Sequence, residues 1–333
     1  MSGSIVVETV ERIYTDGNHN AFTDLCRYRG RYYLTFRSCP DGHMIFPSSQ
    51  IVVLVSDDTV AWERCFSFAA EGRDVRDPHL LVFGETLFVY SGTWPLKIGD
   101  PNYRDIGNHL GYCGWTTDGV GWDGPKAMES TRGFYVWRAA VYDGTAYLNG
   151  RRAKPGTKTI ADTSKYFDIQ GCLLSSSDGF EWLLASILPP SSRNETALWI
   201  EPDGELTALA RGWQTERAYL LSAKPPYTEW DDIALDRQIG GPLLTRWNDT
   251  LLAGGRTWRP DETRATTLFE VKDRKLRTIA DLPSGGDTSY PGFVAIDNSH
   301  AIVSYYSSHE GSGTSRAPSS IYLARLSYRR SSA

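Results

Sequence analysis

The chain has 333 residues, of which 41% are hydrophobic, and a formal net charge of -5. That is long and apolar enough for a large core, and the charge gives no electrostatic basis for binding nucleic acid or an anionic membrane surface. The five cysteines (Cys26, Cys39, Cys65, Cys113 and Cys172) are odd in number and lack CxxC spacing, which argues against a disulfide framework or a zinc site.

The N-terminal run "SIVVETVERIY" reads as a strand with no partner nearby. It carries no basic stretch followed by an apolar core, so a reduced, cytoplasmic setting is expected. No apolar run is long enough to span a bilayer. Strand-turn-strand units follow in order: "LCRYRGRYYLTFR", "HLLVFGETLFVYSG", "AAVYDGTAYLNGR", "ALWIEPDGELTALAR", "PLLTRWNDTLLAGGR" and "GFVAIDNSHAIVSYY". Pairs such as Asp143-Gly144 and Asp203-Gly204 are hairpin signals, because both residues tolerate φ > 0. Helical periodicity is scarce.

Between these units a second pattern recurs: "SDDTVAW", "TTDGVGW" and "SSSDGFEW", with Asp58, Asp118 and Asp178 in register and Trp62, Trp122 and Trp182 closing each copy. The Asp can accept backbone N–H groups in a tight turn while the Trp anchors the turn on the sheet. "SAKPPYTEW", ending at Trp230, is a degenerate fourth copy. Six units of about four strands predict an all-β fold, a single six-bladed β-propeller spanning 1–333. The orphan N-terminal strand is expected to pair with "SIYLARLSY" and close the ring.

In such a ring the starts of the inner strands line one mouth of the channel. They are His19 and Asn20, Arg76 and Asp77, Trp137 and Arg138, Asn194 and Glu195, Gly240 and Gly241, and Ser289 and Tyr290. Arg37, Arg151, Arg211 and Arg256 end second strands and return to the same mouth, as do Tyr305 and Tyr306. Arg, Asp and Glu are seldom buried unless paired, so any one arginine is as well explained by a carboxylate that ties two blades together. The set as a whole suits a polar, acidic sugar. His19, Asn20, Arg37, Arg76, Trp137, Arg138, Arg211, Arg256 and Tyr305 are the candidate substrate contacts.

The Asp-containing turns resemble the Asp boxes of the sialidase superfamily, whose catalytic fold is a six-bladed propeller. "NETALWIEPDGELTALARG" resembles the sialidase segment in which a Glu opens an inner strand and an Arg closes the next, matching Glu195 and Arg211. "TSYPGFVAIDNSHAIVSYY" resembles the segment that carries the nucleophilic Tyr, matching Tyr290. The resemblance implies that Glu195 accepts the proton of Tyr290, whose free pKa of about 10 calls for a nearby base. It also implies a general acid after the first hairpin, where "SCPDGHM" offers Asp41 and, second, His43; Asp77 competes for that role. Blade one departs from the family: "HNAFTDL" stands where a Phe-Arg-Ile-Pro motif is expected. The expected activity is therefore an exo-acting glycoside hydrolase that is not a true sialidase and needs no cofactor or metal. A uronate-cleaving carbohydrate lyase and a non-catalytic sugar-binding propeller are the alternatives. A lyase would release an unsaturated product that absorbs in the ultraviolet.

Overall fold

A computed structural model describes residues 3–161, 168–190, 194–212, 217–311 and 318–330. Six four-stranded antiparallel sheets are the blades. Their inner strands are His19–Tyr28, Arg73–Phe83, Tyr135–Tyr142, Thr196–Ile200, Gly240–Trp247 and Thr288–Ala295. Gly3–Tyr14 pairs antiparallel with Ser320–Arg330 and supplies the outer strand of blade six, as expected from the sequence. An outer strand drawn from the far end of the chain leaves the ring without a seam.

Local chemistry explains the hairpins. Asp143 and Gly144 sit at φ 46° and 68°, the left-handed pair that matches strand twist in a two-residue turn. The three Asp boxes join the third and fourth strands of blades one to three and share one geometry. Asp58 Oδ1 accepts the N–H groups of Val60 and Ala61 at 2.8 and 2.9 Å and the Ser56 hydroxyl at 3.1 Å. Asp118 and Asp178 repeat this pattern with Val120 and Gly121 and with Phe180 and Glu181. Each box is latched by the preceding blade. Arg325 donates to Thr59 O, Tyr33 to Gly119 O and Tyr90 to Gly179 O, at 2.9, 3.0 and 2.8 Å.

Apolar side chains fill the space between neighbouring blades. Val53, Val75 and Val89 pack between blades one and two, and Phe88, Leu148 and Leu174 between blades two and three. The five cysteines are free thiols. Among the described residues, no helix is long and apolar enough to cross a membrane.

Ile5, Val7 and Val10 pack against the apolar cluster of blades five and six. At about 1.5–3 kcal/mol for each fully buried side chain, these half-buried residues contribute several kcal/mol. Deleting residues 4–14 is expected to lower Tm by about 5–10 °C, read by thermal unfolding. An unchanged Tm would show that the ring does not depend on this strand.

Candidate active site

Five inner strands share a bulge at the same place. The ladder with the second strand skips two residues between Ala21 and Asp24, Arg76 and His79, Val136 and Ala139, Gly240 and Leu243, and Ser289 and Gly292. A bulge bends the strand and redirects a side chain that plain alternation would send elsewhere. The first skipped residue has a left-handed φ in four blades: Phe22 (64°), Asp77 (50°), Gly241 (56°) and Tyr290 (53°). In three of them a proline follows: Pro78, Pro242 and Pro291. Glu195 immediately precedes the inner strand of blade four. These positions meet at one mouth of the channel, where Phe22, Asp77, Glu195 and Tyr290 line a cavity of ≈ 270 Å³.

The Tyr290 hydroxyl donates to Glu195 Oε1 at 2.6 Å. Glu195 Oε2 accepts Arg211 Nη1 at 2.8 Å and the Gly241 N–H at 3.0 Å. Gly241 is required by space as well as by φ, since a Cβ there would stand 2.5 Å from Tyr290 Cδ2. The Tyr290 ring packs edge-on against Phe22 and Trp137, at 4.7 and 6.1 Å between centroids. Burial works against ionising Glu195, but the charges of Arg211 and Arg151 and the Tyr290 hydrogen bond outweigh it and bring its pKa down to about 2. Burial, reinforced by the Glu195 and Asp77 charges, pushes the Tyr290 phenol well above its ordinary range. At rest the proton therefore sits on the tyrosine.

Asp77 is the second carboxylate in the cavity. Burial raises its pKa; Arg76 opposes this and the charge of Glu195 adds to it. The Tyr135 hydroxyl bonds its Oδ2, and Oδ1 has no hydrogen-bond partner among the described residues. Asp287 is the third. Its Oδ2 takes His19 Nε2 at 2.8 Å and His43 Nδ1 at 2.6 Å, and its Oδ1 takes the Tyr306 hydroxyl at 2.9 Å. Burial pushes His19 down to about 4, so it stays neutral at pH 7 and donates Nε2–H. His19, His43 and Asp287 offer ligand atoms within 4.8 Å of one another. With Arg256 3.7 Å from the same carboxylate, the charge around them is already positive, which describes a hydrogen-bonded triad better than a cation site.

Arg76, Arg104, Arg151, Arg211, Arg256 and Arg264 also line the cavity. The expectations for Tyr290, Glu195, Asp77, His43, Arg76, Arg211 and Arg256 thus converge on one place. Others do not. Asp41 lies on an exposed turn, bonded to Ser48 Oγ at 2.5 Å, and lines no part of the cavity. Arg37 is fully buried, held by Asp74 at 2.6 Å and by the Gly42 and Met44 carbonyls, so it ties blade one to blade two. Arg138 is spent on Asp24 and on the Pro242 and Pro291 carbonyls. Trp137 is buried under Tyr290 and beside His79. Asn20 bonds Asp16 and Ser319 O, His19 acts through Asp287, and Tyr305 points to Pro283 O.

Asp287, Arg104 and Arg264 were not anticipated. Asp287 had a signal: "DVRDP" (74–78) and "DTSYP" (287–291) share an Asp three residues before the residue that precedes Pro. Asp74 gathers Arg37 and Arg76, and Asp287 gathers the imidazoles of His19 and His43.

No protein-family pattern matches this chain, and no curated protein sequence does. Solved structures do. A Dyadobacter fermentans protein of unknown function aligns over 98% of this chain and 100% of its own, at 19% identity and a TM-score of 0.78. Trypanosoma rangeli sialidase, solved with sialic acid, aligns over 98% of this chain and 59% of its own, at 12% identity and a TM-score of 0.64. Phage phi92 endosialidase aligns over 96% and 69%, at 10% identity and a TM-score of 0.64. The fold is the sialidase-like six-bladed β-propeller.

A depressed carboxylate stabilises the folded chain above its unfolded pKa, and that contribution is lost as pH falls through the folded value. For Glu195 the window runs from 4.5 down to about 2, and the contribution is on the order of 3 kcal/mol. The stability advantage of wild type over Glu195→Gln, read by denaturant unfolding, should shrink across that window. Parallel profiles would mean that Glu195 is not held ionised.

Proposed function

We propose that this sialidase-like propeller is a glycoside hydrolase that acts on an acidic sugar. The observation that carries the reading is the 2.6 Å hydrogen bond from Tyr290 to a buried, arginine-held Glu195 inside an arginine-lined cavity. Tyr290 Oη attacks the anomeric carbon as its proton passes to Glu195. The bond to the leaving oxygen breaks, and Asp77 gives that oxygen its proton. Water then attacks the tyrosyl-linked carbon and loses a proton to Asp77, while the phenolate leaves and recovers its own proton from Glu195. A neutral nucleophile suits a sugar ring that carries a carboxylate, since a carboxylate nucleophile would be repelled. Burial raises the pKa of Asp77 and its Oδ1 makes no hydrogen bond among the described residues, and both favour the acid role.

His43 favours a second reading. Its Nδ1 is fixed by Asp287, and its Nε2 makes no hydrogen bond among the described residues. That is the arrangement of a base able to take a proton α to a uronate carboxyl, as a carbohydrate lyase requires. Product analysis separates the readings: an unsaturated, ultraviolet-absorbing product supports the lyase, and a retained, unchanged ligand supports a binding propeller.

Against a panel of aryl glycosides, acidic sugars other than simple α-sialosides should be the better substrates. Tyr290→Phe is expected to lower kcat by about a thousandfold or more, with a stability change within about 1 kcal/mol. Full activity in this variant would remove Tyr290 from the chemistry. Asp77→Asn should slow substrates with poor leaving groups far more than activated aryl glycosides, which need little protonation; equal loss on both would remove Asp77 as the acid.

A further inference from the structure

The cavity's arginines fall into two groups. Arg211, Arg256 and Arg264 stand beside Tyr290 and Asp287. Arg104 and Arg151 stand around Trp94, Tyr135 and Asp77, and Arg151 lies between Asp77 and Glu195, whose charges it feels. Arg104 lies 5.3 Å from the Trp94 ring and Arg151 lies 4.7 Å from the Tyr135 ring, and the two rings are 6.0 Å apart. Tyr135 in turn bonds Asp77. Guanidinium, indole, phenol and guanidinium thus make one continuous wall next to the proposed acid.

Three of the six arginines are matched. Arg76 pairs with Asp74 at 2.7 Å, Arg211 with Glu195, and Arg256 faces Asp287. Arg104, Arg151 and Arg264 make no ion pair with a carboxylate among the described residues; Arg264 lies over the Trp258 ring and feels the charge of Asp287. Arg104 donates to the Pro101 and Tyr103 carbonyls, and Arg151 to Asn194 Oδ1. Burial and the nearby charge of Arg76 lower the Arg104 pKa to about 10, the response of a cation short of counter-charge. The position is also built. Residues 104 and 105 pair with 161 and 160 in a two-stranded ladder that ties the long connections of blades two and three, and Asp105 caps the 3-10 turn that follows. Holding an unmatched arginine in a fixed, half-buried place costs free energy that a bound anion offsets.

We propose that Arg104 and Arg151 form a second anion subsite on the leaving-group side, so that the natural substrate is a glycan with two acid groups, one on the sugar attacked and one on the residue released. This rests on the hydrolase reading for the assignment of sides, because Asp77 protonates the leaving oxygen. The grip on the first acid group falls to the Arg211 cluster, and the second acid group lies across Tyr135 from it.

The test is binding to Tyr290→Phe, measured calorimetrically with matched probes. These are a uronyl-N-acetylhexosamine disaccharide without sulfate, the same disaccharide with one sulfate on the hexosamine, and a diuronate. At least one two-acid probe should bind about tenfold tighter than the single-acid probe. Arg104→Gln, shown to be folded by its thermal unfolding, should abolish that preference and leave the affinity for the single-acid probe unchanged. Equal binding of all three, no binding of any, or equal loss for every probe in Arg104→Gln overturns the subsite. The two readings fail separately. Loss of turnover in Tyr290→Phe with no two-acid preference keeps the hydrolase and removes the subsite. A two-acid preference in a protein whose turnover survives Tyr290→Phe does the reverse.

Discussion

The repeated bulge on the inner strands governs what this propeller can place in its channel. A regular strand alternates its side chains, and the residues facing the neighbouring blades must be apolar. The bulge escapes this rule once in each of five blades, and a left-handed φ at Phe22, Asp77 and Tyr290 costs about 1–3 kcal/mol each. Such strain persists only where the surroundings over-determine it. At Tyr290 they do: Pro291 follows, the Tyr290 carbonyl accepts the Thr23 hydroxyl at 2.7 Å, and the ring is walled by Phe22, Trp137 and Tyr306. Those neighbours sit on bulges of their own or on the adjoining strand, so the ring positions lock one another.

Charge sets the second constraint. Glu195, Asp77 and Asp287 are nearly inaccessible to water, yet they meet different fates because their partners differ. Glu195 has four oxygen lone-pair directions and fills three of them with an arginine, a backbone N–H and a phenol, which fixes it as an anion. Asp287 is held ionised by two imidazoles and a phenol. Asp77 keeps one oxygen unbonded, and burial together with the field of Glu195 raises its pKa. The three carboxylates of one cavity are thereby shifted in opposite directions, Glu195 and Asp287 downward and Asp77 upward, which is how acid and base roles separate.

How much the sequence revealed followed from what repeats. Ring closure, the hairpins and the boxes recur, so their spacing was readable. Glu195, Arg211 and Tyr290 came from the resemblance of two of these units to sialidase segments, and they lie together. The misplacements share a cause: position near a strand end does not say which face a side chain takes. Arg37 and Arg256 occupy the same place in their blades, opposite Ala21 and Gly240, yet Arg37 turns to the buried Asp74 and Arg256 to the cavity. Trp137 holds the ring position in blade three but has an ordinary φ, and it lies beneath Tyr290. Arg104 was not read, because it lies in a long connection between strands rather than at the start or end of an inner hairpin.

Blade one shows why a missing motif residue is weak testimony about a site. "HNAFTDL" has no arginine, and its ring position is Phe22. The Arg76 guanidinium from blade two nevertheless lies 5.7 Å from the centre of the Phe22 ring, held by Asp74 and by the His43 and Met44 carbonyls. Arg264 adds another cation, from the third strand of blade five. The positive charge absent from the first inner strand is thus supplied in space by neighbours. It arrives at a different angle and with a flat aromatic face beneath it. A carboxylate bound there would meet cations from blades two, four and five and an apolar ring from blade one. Were an acid group bound there, that asymmetry would select its orientation as well as its charge.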